Sequence, residues 1–229
     1  MTDTKHLAAP VAAAPLATGM RTLATAALAV VAVGSVVNAL FAVLTPGGDP
    51  HNGYSYGDAS GHRDRFYAVF AYGGPLYALF CVGLAFAVLV LVRERGAALA
   101  RIGSVLLIAS GALVSSGFGA IGVLYGYATD SAALPTASGH SFVAYINDHT
   151  DLYTNILAPS ALAQIAGSVL VCIALFRART VPRPLAALFI VGMLLSFALS
   201  SGVAGLIAAI PSAVATVLIA WYARARTTA

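Results

Sequence analysis

The sequence predicts an all-α, polytopic membrane protein: six transmembrane helices arranged as three tandem helical hairpins, with both termini cytoplasmic. Three observations lead there. First, 60% of the 229 residues are apolar and 9% are charged, and the mean hydropathy is +0.90, well outside ordinary soluble composition. Second, the apolar residues come in runs long enough to cross a hydrocarbon layer of about 30 Å, which takes roughly 20 helical residues. Lipid offers backbone polar groups no partners, so such runs must be helices. Strands of a membrane barrel would be about 10 residues long and alternate in polarity, and these do not. Third, one pattern recurs. An apolar span with an internal proline ends on paired arginines: Pro75 before Arg93-Glu94-Arg95, Pro159 before Arg177-Ala178-Arg179, and Pro211 before Arg224-Ala225-Arg226.

Residues 1–20, rich in alanine, read as a flexible cytoplasmic tail ahead of a single membrane domain over residues 21–226. The first helix, residues 22–44, exceeds the roughly 7–15 apolar residues of a cleaved signal peptide. Thr45-Pro46-Gly47-Gly48-Asp49-Pro50 ends it with successive helix breakers. Helix two spans residues 65–92 and helix three 102–127, joined by a short basic loop; an outer segment, 128–150, precedes helix four at 151–176. Pro182-Arg183-Pro184 then forms a rigid link whose last proline suits a helix start. The remaining apolar stretch, residues 185–222, would reach about 57 Å as one helix, nearly twice the membrane. A turn near Ser200-Ser201-Gly202 divides it into helices at 185–200 and 203–222.

Basic residues set the orientation. Lys5, Arg21, Arg93, Arg95, Arg101, Arg177, Arg179, Arg183, Arg224 and Arg226 share one side of this map, leaving only Arg63 and Arg65 on the other. The richer side is cytoplasmic, and the alanine-rich composition suits a bacterial inner membrane. These residues serve as topology signals beside anionic headgroups, not as a nucleic-acid patch on a soluble domain. The expected partner is the lipid bilayer. A membrane-protein partner or a second copy is the further expectation at small-residue faces such as Gly111, Ser115 and Gly119, with Gly103 on the same stripe. An offset of 84 residues pairs Pro75 with Pro159, Arg93 with Arg177 and Arg95 with Arg179, as a duplication would, and Pro159-Ser160-Ala161 recurs as Pro211-Ser212-Ala213. Cys81 and Cys172 fall within apolar spans as small hydrophobes, without a disulfide framework.

Two candidate sites follow. His51, His62, His140 and His149 lie in the outer loops, and His62-Arg63-Asp64 and His149-Thr150-Asp151 repeat one pattern. In extended backbone, positions i and i+2 share a face. His62, Asp64, His140, His149 and Asp151 thus form a candidate cluster for zinc or another divalent metal, and for an outward-facing enzyme. The plainer reading makes Asp64, Thr150 and Asp151 helix caps and leaves the histidines solvated. Ser138-Gly139-His140 resembles the serine-glycine-histidine motif of the membrane acid-phosphatase superfamily, a resemblance that would imply an outward phosphatase site. It covers three residues only. The family's upstream Lys-x6-Arg-Pro motif is absent, since Arg183-Pro184 comes later and on the opposite side, and Ser60-Gly61-His62 repeats the tripeptide.

The second site lies within the spans. No Asp, Glu, Lys, Arg or His occupies the middle of one, which argues against ion coupling. Asn38, Gln164 and Ser168 are the polar residues there that either line a pathway or bond between helices. Kinks at Pro75, Pro159 and Pro211 would either open a funnel toward the outer loops or only tune packing. The expected role is therefore a non-enzymatic scaffold, accessory subunit or small uncoupled carrier without a cofactor. The alternative is a membrane enzyme with an extracytoplasmic His/Asp site and a divalent metal.

Overall fold

A computed structural model describes residues 13–45, 53–199 and 202–228. Among the described residues the chain is helical, without a β-strand. The elements are α1 (Ala13–Leu44), α2 (Tyr56–Gly61), α3 (Arg63–Leu91), α4 (Ala97–Ala128), α5 (Thr136–Asp148), α6 (Asp151–Ala178), α7 (Arg183–Ala198) and α8 (Gly202–Thr228). Five helices, α1, α3, α4, α6 and α8, are long and apolar enough to cross a membrane. The sixth expected span, α7, has only 16 residues, about 24 Å at the helical rise. The breakers at Pro46-Gly47-Gly48-Asp49-Pro50, His51, and the Ser200-Ser201 part of the expected turn lie outside the described residues.

Part of the stretch expected as a tail is helical. Residues 13–20 already belong to α1, because Pro15 falls in the first turn, where no N–H donor is required. Residues 1–12 lie outside the described ones. Pro184 sits in the first turn of α7 for the same reason.

The six long or apolar helices form a closed ring in chain order. Neighbours pack as α1 on α3, α3 on α4, α4 on α6, α6 on α7, α7 on α8, and α8 back on α1, while α3 also reaches across to α8. The three expected hairpins (α1 with α3, α4 with α6, α7 with α8) are thus each a packed pair. At one end lie the arginines. Arg226 Nη1 donates to Leu91 O at 2.6 Å, Arg21 Nε to Thr227 O at 2.9 Å, and Arg224 sits over Trp221 at 5.5 Å. The first two bonds tie α1 and α3 to the last turns of α8 and satisfy carbonyls that helix ends leave open. Gly96 turns the chain from α3 into α4 at φ +88°, and a Cβ there would lie 3.0 Å from Ala174 O, so only glycine suits it.

Glycine sets helix spacing along the seams. A Cβ on Gly103 would lie 2.8 Å from Gly167 O, and one on Gly167 3.0 Å from Gly103 O. The α4 and α6 backbones therefore touch. Gly111 meets Ala78 and Cys81 of α3, and Gly74 of α3 meets Ser115. The single stripe expected on α4 is consequently two: Gly103 faces α6, whereas Gly111 and Ser115 face α3, and Gly119 has nothing within 4 Å. Eight residues advance a helix by two turns and about 80°, enough to move Gly103 to another neighbour.

The opposite end carries structure where loops were expected. α2 opens on a capping box between Ser55 and Asp58. α5 buries Gly139, Val143 and Ile146, one face at helical spacing. Arg63 Nη2 pairs with Asp130 Oδ2 at 2.7 Å, with both side chains substantially exposed. Because water screens such a pair, Asp130→Asn is expected to cost less than about 1 kcal/mol, and less still in high salt. Thermal unfolding at two salt concentrations checks this; a large, salt-independent loss would contradict it.

Candidate functional site

Two apolar clusters fill the bundle, and a chamber lies between them. The cluster toward the arginine end is built from side chains such as Leu84, Val88, Leu91, Leu107, Val171, Leu175, Phe189 and Ile219. The one toward the α2–α5 end is aromatic, with Phe66, Phe70, Tyr125 and Tyr153 buried and Phe41, Tyr54 and Phe118 packed against them. Phe41 stacks on Phe118 at 4.9 Å and meets Phe70 edge-on at 5.8 Å. The chamber has a volume of about 370 Å³ and takes wall residues from all six ring helices. That size lies within the range of small-molecule sites.

Its walls follow from the proline turns. Gly73 and Tyr77 flank Pro75, Leu157, Ser160 and Ala161 flank Pro159, and Ala209, Ser212 and Ala213 flank Pro211; all of these line the chamber. Each proline lacks an N–H and leaves a carbonyl one turn back without its usual partner. In the two Pro-Ser-Ala copies those carbonyls are Asn155 O and Ile207 O. The serine after each proline makes a separate bond three residues back from itself: Ser160 Oγ donates to Leu157 O at 2.6 Å, and Ser212 Oγ to Ala209 O at 2.9 Å. The repeat seen in sequence is thus a repeat in local bonding.

Polar groups on the described wall come from each of the six ring helices and carry no charge. Ser35 and Thr216 bond across the α1–α8 seam at 3.0 Å, and Thr216 Oγ1 also lies 2.9 Å from Ser212 O. One hydroxyl has one proton, so Ser35 donates to Thr216 and Thr216 to Ser212. Ser196 Oγ reaches Gly192 O at 2.9 Å. Asn38 is exposed on the wall. Gln164, only 6% exposed, and Ser110, fully buried, have Oε1 and Oγ without a hydrogen-bond partner. Of the residues flagged within the spans, Asn38 and Gln164 therefore line the chamber. Ser168 is buried one turn away, also without a partner and outside the wall.

The α4–α6 register brings the two unpartnered groups together. A Cβ on Gly103 would meet Val171 N at 3.1 Å, one on Gly167 would meet Leu107 N at 3.1 Å, and one on Gly117 would press on Leu157. Along this antiparallel ladder Ser110 stands opposite Gln164. Ser116 and Ser141 bond the carbonyl four residues back, as helical serines commonly do. Ser110 makes no such bond.

The histidine candidates are placed differently. His62 sits between α2 and α3 at φ −136°, with Arg63 and Asp64 already in the helix. His149 follows α5, Thr150 is in the α-region, and Asp151 starts α6. The His-x-Asp pairs straddle helix starts, where i and i+2 diverge. His140 stacks on Tyr56 at 3.8 Å, and His149 stacks on Tyr145 at 4.1 Å with Nδ1 2.9 Å from Tyr145 O. Among the described residues, no three His, Cys, Asp or Glu side chains gather in a group suited to a metal. Thr150 makes no side-chain cap, and Asp64 and Asp151 lie in first turns, where their charge favours the helix dipole. The side-chain cap in this region is Ser55, which the sequence reading missed.

Above the chamber, Tyr125 OH donates to Asn147 Oδ1 at 2.5 Å, and Asn147 Nδ2 to Tyr54 O at 3.0 Å. Tyr54 N points back to Tyr125 OH at 3.4 Å. This triangle pins the segment before α2 to α4 and α5. Burial, reinforced by Tyr125 and Tyr153, pushes the Tyr54 hydroxyl well above the ordinary tyrosine range, so it stays protonated. No known family model matches the chain, and no curated protein or solved structure does either.

Proposed function

We propose that this protein is a small uncoupled carrier that holds a neutral, amphipathic molecule in its central chamber. The observation that carries this reading is the wall itself: neutral polar groups from six helices among aromatic and aliphatic side chains, with no Asp, Glu, Lys, Arg or His among the described residues that line it. A wall whose described residues include no carboxylate, amine, guanidinium or imidazole gives a proton or metal ion little to bind at that depth. An uncharged solute meets apolar surface for its body and dipoles for its polar groups.

In this reading α7 is the sixth span, shortened and sheltered against α8, and the arginine end is cytoplasmic, as positive-inside placement requires. Both termini then lie inside a bacterial cytoplasmic membrane. Single-cysteine labelling of intact cells tests the orientation. Ser138→Cys should react with an impermeant maleimide and Ala178→Cys should not; the reverse pattern would invert the map.

Chamber filling tests the function. Ala161→Trp places a large ring in the chamber wall. Organic extracts of the purified wild-type protein should contain an uncharged molecule at near-stoichiometric level, reduced at least about tenfold in this variant at similar thermal stability. Equal extracts from both proteins would refute a ligand-holding chamber.

A further inference from the structure

We propose that the chamber selects its ligand by a hydroxyl group, which seats between Gln164 on α6 and Ser110 on α4. The inference rests on the chamber being a ligand site and adds what the ligand must carry. Gln164 is 6% exposed and Ser110 fully buried, both line the chamber, and the helix register sets them opposite each other. Gln164 Oε1 and Ser110 Oγ nevertheless make no hydrogen bond of good geometry within the protein, although the Tyr77 hydroxyl lies beside Ser110 on the same wall. A buried polar atom left unpaired is costly, and folded proteins rarely tolerate two at one place unless something else satisfies them. Elsewhere on the same wall the hydroxyls of Ser35, Ser160, Ser196, Ser212 and Thr216 are all bonded within the protein. On the chamber wall the buried groups without a bond are those of Gln164 and Ser110; Ser168 and Thr180, the others among the described residues, lie off the wall.

The chemistry of that spot narrows the ligand. An amide oxygen only accepts, whereas a serine hydroxyl both donates and accepts. A ligand hydroxyl matches both: its proton goes to Gln164 Oε1 and its oxygen receives the proton of Ser110. An ether or a ketone could satisfy Ser110 but would leave Gln164 Oε1 unpaired. A charged group would lie in an apolar site without a counter-ion, which the desolvation cost forbids. Phe80, Phe118 and Phe189 on the surrounding wall suit an apolar, ring-bearing body. The ligand class is a neutral, lipid-soluble alcohol or phenol.

Three naphthalene probes separate these features: 2-naphthol, its near-isostere 2-methylnaphthalene, and the larger ether 2-methoxynaphthalene. Equilibrium dialysis against the detergent-solubilised protein, with the chamber-filled Ala161→Trp variant as blank for micelle partition, reads their affinities. Wild type should bind 2-naphthol at least about tenfold more tightly than either other probe, the worth of one buried hydrogen bond. Gln164→Met should remove that preference while leaving 2-methylnaphthalene binding unchanged. Without ligand, Gln164→Met and Ser110→Ala should also unfold at the same or higher temperature than wild type, because each removes an unsatisfied group. Equal wild-type affinities for all three probes would overturn the hydroxyl inference and assign the two groups to bound water, with the chamber reading intact. A preference that survives Gln164→Met would overturn it likewise. Probe binding no greater than in the Ala161→Trp blank would overturn both readings.

Discussion

Gly103→Val is expected to lower the unfolding midpoint of the purified protein by roughly 5–10 °C, more than any substitution on the lipid-facing surface. Glycine in a helix interior ordinarily costs about 1 kcal/mol against alanine, so adding a side chain there would normally help. Here the sign reverses. A Cβ at Gly103 would stand 2.8 Å from Gly167 O and 3.1 Å from Val171 N, and both obstacles are backbone, which no rotamer change can clear. The two helices must part, and forced overpacking of this kind costs about 1–3 kcal/mol or more. For a chain of this size each kcal/mol moves the midpoint by about 2–4 °C. Gly119→Ala is the control, because nothing lies within 4 Å of a Cβ there; it should be neutral or slightly stabilising. Similar losses from both substitutions would mean that helix flexibility, not the α4–α6 contact, sets the stability.

Tyr125→Ala should cost still more, about 3–5 kcal/mol, the usual range for removing a buried aromatic ring. Tyr125 is fully buried, meets Tyr54 edge-on at 5.6 Å and Phe66 at the same distance, and its hydroxyl closes the triangle with Asn147 and Tyr54. Tyr125→Phe separates the two contributions. It keeps the ring and strands Asn147 Oδ1 and Tyr54 N, so the loss should be about 1–3 kcal/mol. It should also release the segment before α2, seen as faster amide exchange at Tyr54 and Ser55. If Phe and Ala at this position unfold at the same temperature, the ring packing contributes nothing and the aromatic plug is not structural.

How much of this was legible in the sequence divides along physical lines. Apolar runs, paired arginines and the three prolines are local signals, and they located the ring helices and their hairpin pairing. Residues beside Pro75, Pro159 and Pro211 line the chamber. Polar residues within the spans pointed to Asn38 and Gln164 because burying an amide in such a region demands a reason. Ser110 gave no such sign; one serine among many becomes notable only when α4 and α6 fix its register. α5 was readable and missed: Gly139, Val143 and Ile146 fall on one face, but the polar residues between them read as loop. The fate of Gly103, Gly111 and Gly119 was not readable, because identical residues on one helix face three different surroundings. The histidines illustrate the same limit, since their role depends on backbone angles at His62 and His149 that local sequence leaves open.

The ring is closed by its first and last helices, and this orders its assembly in time. As the chain leaves the ribosome, α1 enters the bilayer with Ser35 facing a place that Thr216 will occupy only after every other ring helix has been made. Until then the chamber is a cleft on the flank of an incomplete arc, open to lipid and to whatever dissolves in it. Completion by α8 would shut that side, so a lipid-soluble guest has its widest route inward during biosynthesis itself.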